Sequence, residues 1–414
     1  MTENNNEKLT RALLIGVDIG EYDMESSLRE LEELALTAGA ETIASVIQKR
    51  PDFDSATCMG SGKLEELKEL CENYDIELII CDNELTAIQR SNIEEITDVR
   101  AIDRTTLILD IFAQRARTKE GCLQVSLAQE KYRLSHLIGT GTQLSRLGGG
   151  IGTRGPGESK LETSRRRIRE RITSLEHELA ELERHRKFAR KKRRKDGILC
   201  AAIVGYTNVG KSTLLNALTD SDVLAENKLF ATLDTTSRGI ELPDGRNIII
   251  IDTVGLIRRL PHNLVEAFKS TLEEAASADL IINVLDISSD ECTEQAEVTE
   301  KLLSELGCDG IPKINVLNKC DIANKDNIFH EDSKTVKISA KNHQGFDRLL
   351  ECIAENLPKT AERMKLLIPY DMTSLIGKIR IEGKIFSEEY TENGTLIDAL
   401  VDYRIAHLFQ QYKI

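Results

Sequence analysis

Apolar positions along residues 11–112 follow two alternating rhythms. Short, mostly apolar runs at Ala12–Val17, Thr42–Val46, Glu77–Cys81 and Val99–Asp103 have the length of buried strands. Between them, residues 24–38, 62–74 and 85–97 carry apolar side chains at helical spacing. Strand–helix alternation predicts a small parallel sheet covered by helices.

The pattern then changes. Residues 104–138 read as helical, with Leu123, Leu127, Leu134 and Ile138 on one face. Residues 139–157 contain eight glycines and cannot offset their ordering cost by burying side chains, so they are expected to form a loop, mobile when free. A second helix is expected from Glu158 to Lys195, where Leu161, Ile168, Ile172, Leu175, Leu179 and Leu182 form a coiled-coil-like seam. Two striped helices around a loop predict an antiparallel hairpin with the glycines at its tip.

From residue 198 the βαβ rhythm returns and persists to 358, and residues 364–414 read as a strand, a helix and two strands around the Asn393-Gly394 turn. The expected division is an N-terminal parallel α/β domain over 1–115 and a helical hairpin over 116–196. A nucleotide-binding α/β domain follows over 197–358, and a small α+β domain over 359–414.

Charge sharpens this picture. The chain carries −14 overall, but residues 165–195 hold 14 Lys/Arg against 5 Asp/Glu, so the rest carries −23. Nine of the twelve residues Arg184–Lys195 are basic. A concentrated basic segment on an acidic chain is a localised anion-binding device, and RNA phosphate is the expected target. Arg146 and Arg154 add charge to the glycine loop. There is no tryptophan and aromatics are few, so no broad base-stacking platform is expected. The polar start MTENNNEK is no secretory signal, and no run of 18 apolar residues predicts a membrane span. Nine dispersed cysteines without CxxC spacing read as reduced thiols of a cytoplasmic protein. Peripheral membrane association stays open, and a monomer is expected.

The chemistry lies in three motifs. The strand Cys200–Val204 runs into Gly205-Tyr206-Thr207-Asn208-Val209-Gly210-Lys211-Ser212, followed by Thr213 and a helix. This is the GxxxxGK[ST] phosphate loop in its strand–loop–helix context. Lys211 is expected to bridge β- and γ-phosphate oxygens and Ser212 to ligate Mg²⁺. A second strand ends in Asp252-Thr253-Val254-Gly255: Asp252 is placed to hold Mg²⁺ through water, and the Gly255 amide to sense the γ-phosphate. A third ends in Asn318-Lys319-Cys320-Asp321, whose aspartate can accept two hydrogen bonds from guanine where adenine offers none. Ser339-Ala340-Lys341 is expected to meet the guanine oxygen through its backbone. In this order the motifs predict a GTP- and GDP-binding, GTP-hydrolysing domain.

The segment between phosphate-loop helix and DxxG should supply a threonine to Mg²⁺. Leu229-Phe230-Ala231-Thr232-Leu233-Asp234-Thr235-Thr236 offers three candidates. Leu256 stands where other GTPases place a water-orienting glutamine, so slow intrinsic hydrolysis is expected. Asn208 is either a K⁺ ligand or a structural loop residue. Met59-Gly60-Ser61-Gly62-Lys63 lacks phosphate-loop spacing and reads as a glycine turn entering a helix.

Further signatures carry a more specific resemblance. These are Met59–Leu67, Asp103–Arg117, Gly152–Glu158 with Leu161–Thr163, Phe230–Asp234 and Asp252–Gly255. Together they resemble the HflX family of ribosome-associated GTPases across essentially the whole chain. The resemblance implies binding to the large (50S) ribosomal subunit and its 23S rRNA, with the hairpin near the peptidyl-transferase centre. It also implies dissociation of stalled 70S ribosomes under stress and hydrolysis stimulated by 50S. By matching position it makes Thr232, with Ser212, a Mg²⁺ ligand, and assigns Lys211, Thr232 and Gly255 to catalysis. Thr235 departs from the proline common in the family, and Lys160 from its glutamine. The competing expectation is a signalling or RNA-processing GTPase acting through a protein effector.

Overall fold

The computed structural model describes residues 9–147, 156–219, 229–230, 233, 236–259, 274–323 and 331–414. Its contacts group into two units. The first comprises Met1–Arg186, Leu224–Asp234 and Val254–Leu272; the second comprises Lys187–Val223, Thr235–Thr253 and Glu273–Ile414.

The first unit opens with β1 (Thr10–Asp18), α1 (Met24–Thr37), β2 (Ala40–Lys49), α2 (Ser61–Asn73), β3 (Leu78–Cys81), α3 (Ala87–Thr97) and β4 (Arg100–Asp103). The four strands pair in parallel in the order β2-β1-β3-β4. The apolar runs of β1, β3 and β4 are buried on both faces, as a helix-covered parallel sheet requires, whereas the edge strand β2 is only half-buried. Leu13, Ile15, Leu64, Leu67, Ile79 and Ile93 meet in the core. Helix starts follow side-chain chemistry: Asp23 caps α1, and Thr86 with Gln89 forms a reciprocal capping box on α3. Gly60 is the residue entering α2, so Met59–Lys63 is a glycine turn leading into a helix.

Two helices replace the single one expected over 104–138: α4 (Arg104–Arg115) and α5 (Lys119–Leu147). Helix α6 (Pro156–Lys195) follows. Glu120 pairs with Arg186, Lys131 with Glu176, and the Leu137 carbonyl accepts from Arg165. Partners fall in α5 as they rise in α6, the signature of an antiparallel hairpin. The expected glycine loop is shorter than 139–157. Helix α5 runs through Gly139 and Gly141 to Leu147, and Pro156 and Gly157 begin α6. Each glycine costs a helix about 1 kcal/mol, which an already nucleated 29-residue helix absorbs. Proline is favoured in a first turn, where its missing N–H is no loss. Residues 148–155 lie outside the described residues.

The second unit contains β5 (Leu199–Gly205), α7 (Lys211–Thr219), β6 (Thr236–Glu241), β7 (Asn247–Asp252), β8 (Leu280–Asp286), α8 (Cys292–Glu305), β9 (Lys313–Asn318), β10 (Thr335–Lys337) and α9 (Phe346–Asn356). Its six strands order as β10-β9-β8-β5-β7-β6, parallel except for β6, which runs antiparallel to β7 at the edge. β5 lies at the interior of this sheet, and Ala201, Ala202 and Ile203 are fully buried. The chain closes with β11 (Ala361–Ile368), α10 (Thr373–Glu382), β12 (Gly383–Thr391), β13 (Gly394–Asp402) and the short α11 (Tyr403–Ala406). β12 and β13 form the expected hairpin, within an antiparallel sheet of order β11-β13-β12. This is a P-loop GTPase fold with an α/β N-terminal domain, a helical region and a small antiparallel C-terminal domain. Among the described residues no helix is long and apolar enough to cross a membrane.

Candidate functional site

Parallel strands deliver their motifs to one edge of the second unit's sheet. β5, β7 and β9 each end where a motif begins, the position at which open α/β sheets bind ligands. β5 ends at Gly205, and α7 begins at Lys211. The intervening turn needs left-handed backbone at Asn208 (φ 61°) and Gly210 (φ 94°). Asparagine tolerates this conformation better than other side-chain-bearing residues, which gives Asn208 a structural reason to be there. Gly205 (φ 148°) packs against the backbone of β8: a Cβ there would lie 2.3 Å from the Val284 carbonyl oxygen.

Lys211 is buried and donates to the carbonyls of Gly205 at 3.1 Å and Tyr206 at 2.6 Å. Burial lowers its pKa to about 8, against the opposing pull of Asp252. Ser212 Oγ donates to Asp252 Oδ2 at 2.8 Å, joining the start of α7 to the end of β7. Both residues are buried. A hydroxyl and a carboxylate oxygen side by side are hard donors of the kind Mg²⁺ takes, so this pair fits that ion. Thr213, the next residue of α7, is half-buried. Thr207 and Val209 are buried within the loop, and Thr253 Oγ1 donates to the Ile203 carbonyl at 2.8 Å, fixing the DxxG strand end against β5.

Asn318 ties the base-reading motif to the phosphate loop. Its Nδ2 donates to the Val209 carbonyl at 2.8 Å, and its Oδ1 accepts from the Ala340 amide at 2.9 Å. Ser339 and Ala340 are buried, whereas Lys341 and Asp321 are exposed, Asp321 with its carboxylate available to a base. The Cys320 amide donates to the Ile338 carbonyl at 3.1 Å, anchoring the loop on the far side. Lys319, at φ 64°, forms an ion pair with Asp286 Oδ2 at 2.6 Å. Sequence reading missed Asp286. The available signal was its place at the end of the apolar strand Leu280–Leu285, where Asp252 stands on its own strand.

The described candidates among Leu229–Leu233, and those from Val254 onward, belong to the first unit. Phe230 is buried, with its ring edge-on to Phe112 at 4.6 Å, and the Leu229 amide donates to Thr37 Oγ1 at 3.2 Å. Leu233 and Val254 are buried, and so is Leu256, the residue in the glutamine position. Gly255 is buried beside them. Ala231, Thr232, Asp234 and Thr235 lie outside the described residues. Thr236, the third threonine candidate, pairs in register with Asp252 in the β6–β7 ladder.

A charged cluster in the first unit had no expectation attached. Asp82 is fully buried between Arg104 Nη1 at 3.0 Å and Arg259 Nη1 at 2.5 Å. It also accepts from Ser27 Oγ at 2.9 Å and Tyr22 OH at 3.1 Å. The Arg259 guanidinium stacks 3.9 Å over the Tyr22 ring, and neighbouring Arg258 donates to Ser26 Oγ at 2.7 Å. Residues just beyond the DxxG motif are thus held by α1 and the end of β3. Only tertiary structure brings them together, because Asp82 and Arg259 are 177 residues apart. The nine cysteines all carry free thiols. Among the described residues no cluster of three or more His, Cys, Asp and Glu could hold a metal ion.

Three family models match the chain in succession between residues 25 and 319. A GTP-binding GTPase N-terminal model covers residues 25–113, a GTP-binding GTPase middle-region model covers 115–193, and a 50S ribosome-binding GTPase model covers 200–319. A relative in Caldanaerobacter subterraneus, GTPase HflX, is 51% identical over 404 residues, spanning 98% of this chain and 94% of the relative. The GTPase HflX of Escherichia coli is 39% identical over 379 residues, spanning 90% and 89%. A GTP-binding protein from Sulfolobus solfataricus, solved in complex with GDP, is 24% identical with a TM-score of 0.45, covering 84% of this chain and 98% of that one.

Proposed function

Because this chain belongs to the GTPase HflX family, we propose that it is a Mg²⁺-dependent GTP hydrolase that binds the 50S ribosomal subunit. In this reading it uses GTP binding and hydrolysis to dissociate or rescue stalled 70S ribosomes, in the cytoplasm and under stress. Backbone amides of Gly205–Lys211 and the start of α7 receive the phosphates. Lys211 leaves its two carbonyl partners to meet the β- and γ-phosphates. Ser212 and Thr232 would hold Mg²⁺, with Asp252 reaching it through water, and the ion would supply positive charge against the γ-phosphate oxygens. Phe230, Ala231, Leu233, Asp234, Thr253 and Val254 frame the nucleotide, and Gly255 reads the γ-phosphate. Asn318, Lys319, Cys320, Asp321, Ser339, Ala340 and Lys341 select guanine. Asn208 would offer its amide oxygen to K⁺ where that cation contributes.

Leu256 can neither donate nor accept a hydrogen bond, so the chain does not orient water from that position. Hydrolysis is then slow alone and stimulated by the partner. The observation that carries the partner is the basic helix α6 on a chain that is otherwise acidic. Its target is 23S rRNA phosphate.

The test is cosedimentation with isolated 50S, 30S and 70S particles in GDP and in a non-hydrolysable GTP analogue. Pelleting with 50S and splitting of 70S in the analogue are expected. Absence of 50S pelleting in both nucleotides sinks this reading in favour of a GTPase acting through a protein effector.

A further inference from the structure

The last turns of α6 separate by face. Arg190 and Arg193 turn inward to Glu274, Arg190 through both Nε and Nη2 to Oε1 and Arg193 at 3.9 Å from Oε2. On the outer side Phe188, Lys191, Lys192 and Lys195 are exposed, the lysines lying three, four and seven residues beyond the ring. At 1.5 Å per residue this face spans about 10 Å. Phe188 is 80% exposed, even though lysine stems one turn away could cover an apolar neighbour. Residues 187–195 include no acidic side chain.

An exposed ring alone on a surface is ordinary. An exposed ring within a one-sign cationic face is a specific combination: a π-face for a base beside charges for its phosphates. Protein interfaces deplete lysine and rim their aromatic anchors with polar groups of mixed kind, so this face suits RNA better than protein. We propose that Phe188 stacks on an unpaired RNA base while Lys191, Lys192 and Lys195 hold the adjoining phosphates. The proposal rests on the RNA-binding reading above and adds to it a single-base contact that charge alone does not provide.

Stacking and charge respond differently to salt. Neutralised phosphates set the slope of log affinity against log salt, whereas a stacked base shifts the line without tilting it. The full-length chain is therefore titrated with 50S subunits across salt as wild type, Phe188→Leu, Phe188→Trp and Lys191→Ala/Lys192→Ala. Leucine keeps the apolar bulk and loses the π-face, so about tenfold weaker binding with an unchanged slope is expected. The double lysine variant should flatten the slope by nearly one unit per lysine. Tryptophan should retain wild-type affinity. Since the chain has no native tryptophan, its emission should quench on protein-free 23S rRNA.

A Leu variant that binds 50S like wild type overturns the proposal, as does one whose loss comes through the slope. An unquenched Trp variant on protein-free rRNA overturns RNA as the occupant and points to ribosomal protein. Wild-type chain that fails to bind 50S overturns the underlying functional reading itself, a result distinguishable from loss confined to the Leu variant.

Discussion

Asn318 and Val209 are joined by a 2.8 Å hydrogen bond from side-chain amide to backbone carbonyl, across 109 residues of sequence. The bond makes the base-reading and phosphate-holding loops one object. Asn318 also receives the Ala340 amide, so three motifs converge on its side chain. Phosphate-loop geometry is in turn adapted to it: a Cβ at Gly210 would sit 2.4 Å from Asn318 Nδ2.

Asn318→Ala should therefore act on both ends of the nucleotide. It leaves a buried carbonyl and a buried amide without partners, at a cost of about 1–3 kcal/mol each. GTP and GDP affinities are expected to fall together, and the melting temperature with them. Equilibrium binding of labelled GDP and GTP beside a thermal melt checks this; loss confined to GTP would contradict the bridging role. Gly210→Ala should behave similarly, through steric displacement of the same amide and strain at φ 94°.

Asp321 makes the complementary prediction, since its exposed carboxylate has no part in the bridge. Asp321→Asn places an N–H where the base presents N–H, so guanine is repelled while folding is spared. Preference for GTP over ATP should fall by at least about tenfold, and xanthine, with a carbonyl in place of guanine's amine, should gain. Competition binding with GTP, ATP and XTP measures it. An unchanged ratio refutes the base-reading assignment, and an unchanged melting temperature separates the effect from that of Asn318.

The parts of the site legible in sequence were those carried by contiguous residues. GxxxxGKS, DxxG and NKxD each occupy one strand end, so spacing and apolar runs located them. The alternating pattern likewise located the four strands of the first sheet, and β5, β7 and β9 of the second. What escaped was pairwise and distant. Asp286 meets Lys319 only because β8 and β9 are neighbours, and Asp82 meets Arg259 only because the chain after DxxG returns to the first unit. The end of α5 was misjudged for a different reason. Glycine content was read as loop, whereas isolated glycines are tolerated in a long helix at modest cost each.

Ser212 and Asp252 predict a metal phenotype. Ser212→Ala removes the hydroxyl that donates to Asp252 at 2.8 Å and, in the proposed chemistry, a Mg²⁺ ligand. GTP hydrolysis should drop at least about tenfold, while GDP binding in chelator, where Mg²⁺ takes no part, stays near wild type. Single-turnover hydrolysis and GDP titrations with and without Mg²⁺ report the two quantities. Equal loss in both would mean that the hydroxyl serves the fold of the loop rather than the ion.

The Asp82 cluster yields a prediction about stability and its pH dependence. Burial alone would push this carboxyl upward, but the Arg104 and Arg259 guanidiniums outweigh it and hold it below the usual carboxylate range. A depressed native pKa means that the charged form is favoured by folding. Its stabilisation is present above the unfolded value, about 3.9, and disappears as pH falls through the lower native one. Asp82→Asn leaves Arg104, 3% exposed, paired with Glu30 at 2.5 Å but without the Asp82 charge, and should cost about 3–5 kcal/mol at neutral pH. Arg259→Ala leaves Asp82 its Arg104 pair and should cost less, about 1–3 kcal/mol, from lost charged hydrogen bonds and the cation–π contact with Tyr22. Denaturant unfolding at pH 7 and at steps below pH 4 distinguishes these outcomes. The gap between wild type and Asp82→Asn should narrow only below about pH 4, whereas a gap independent of pH would show that Asp82 contributes through packing rather than charge.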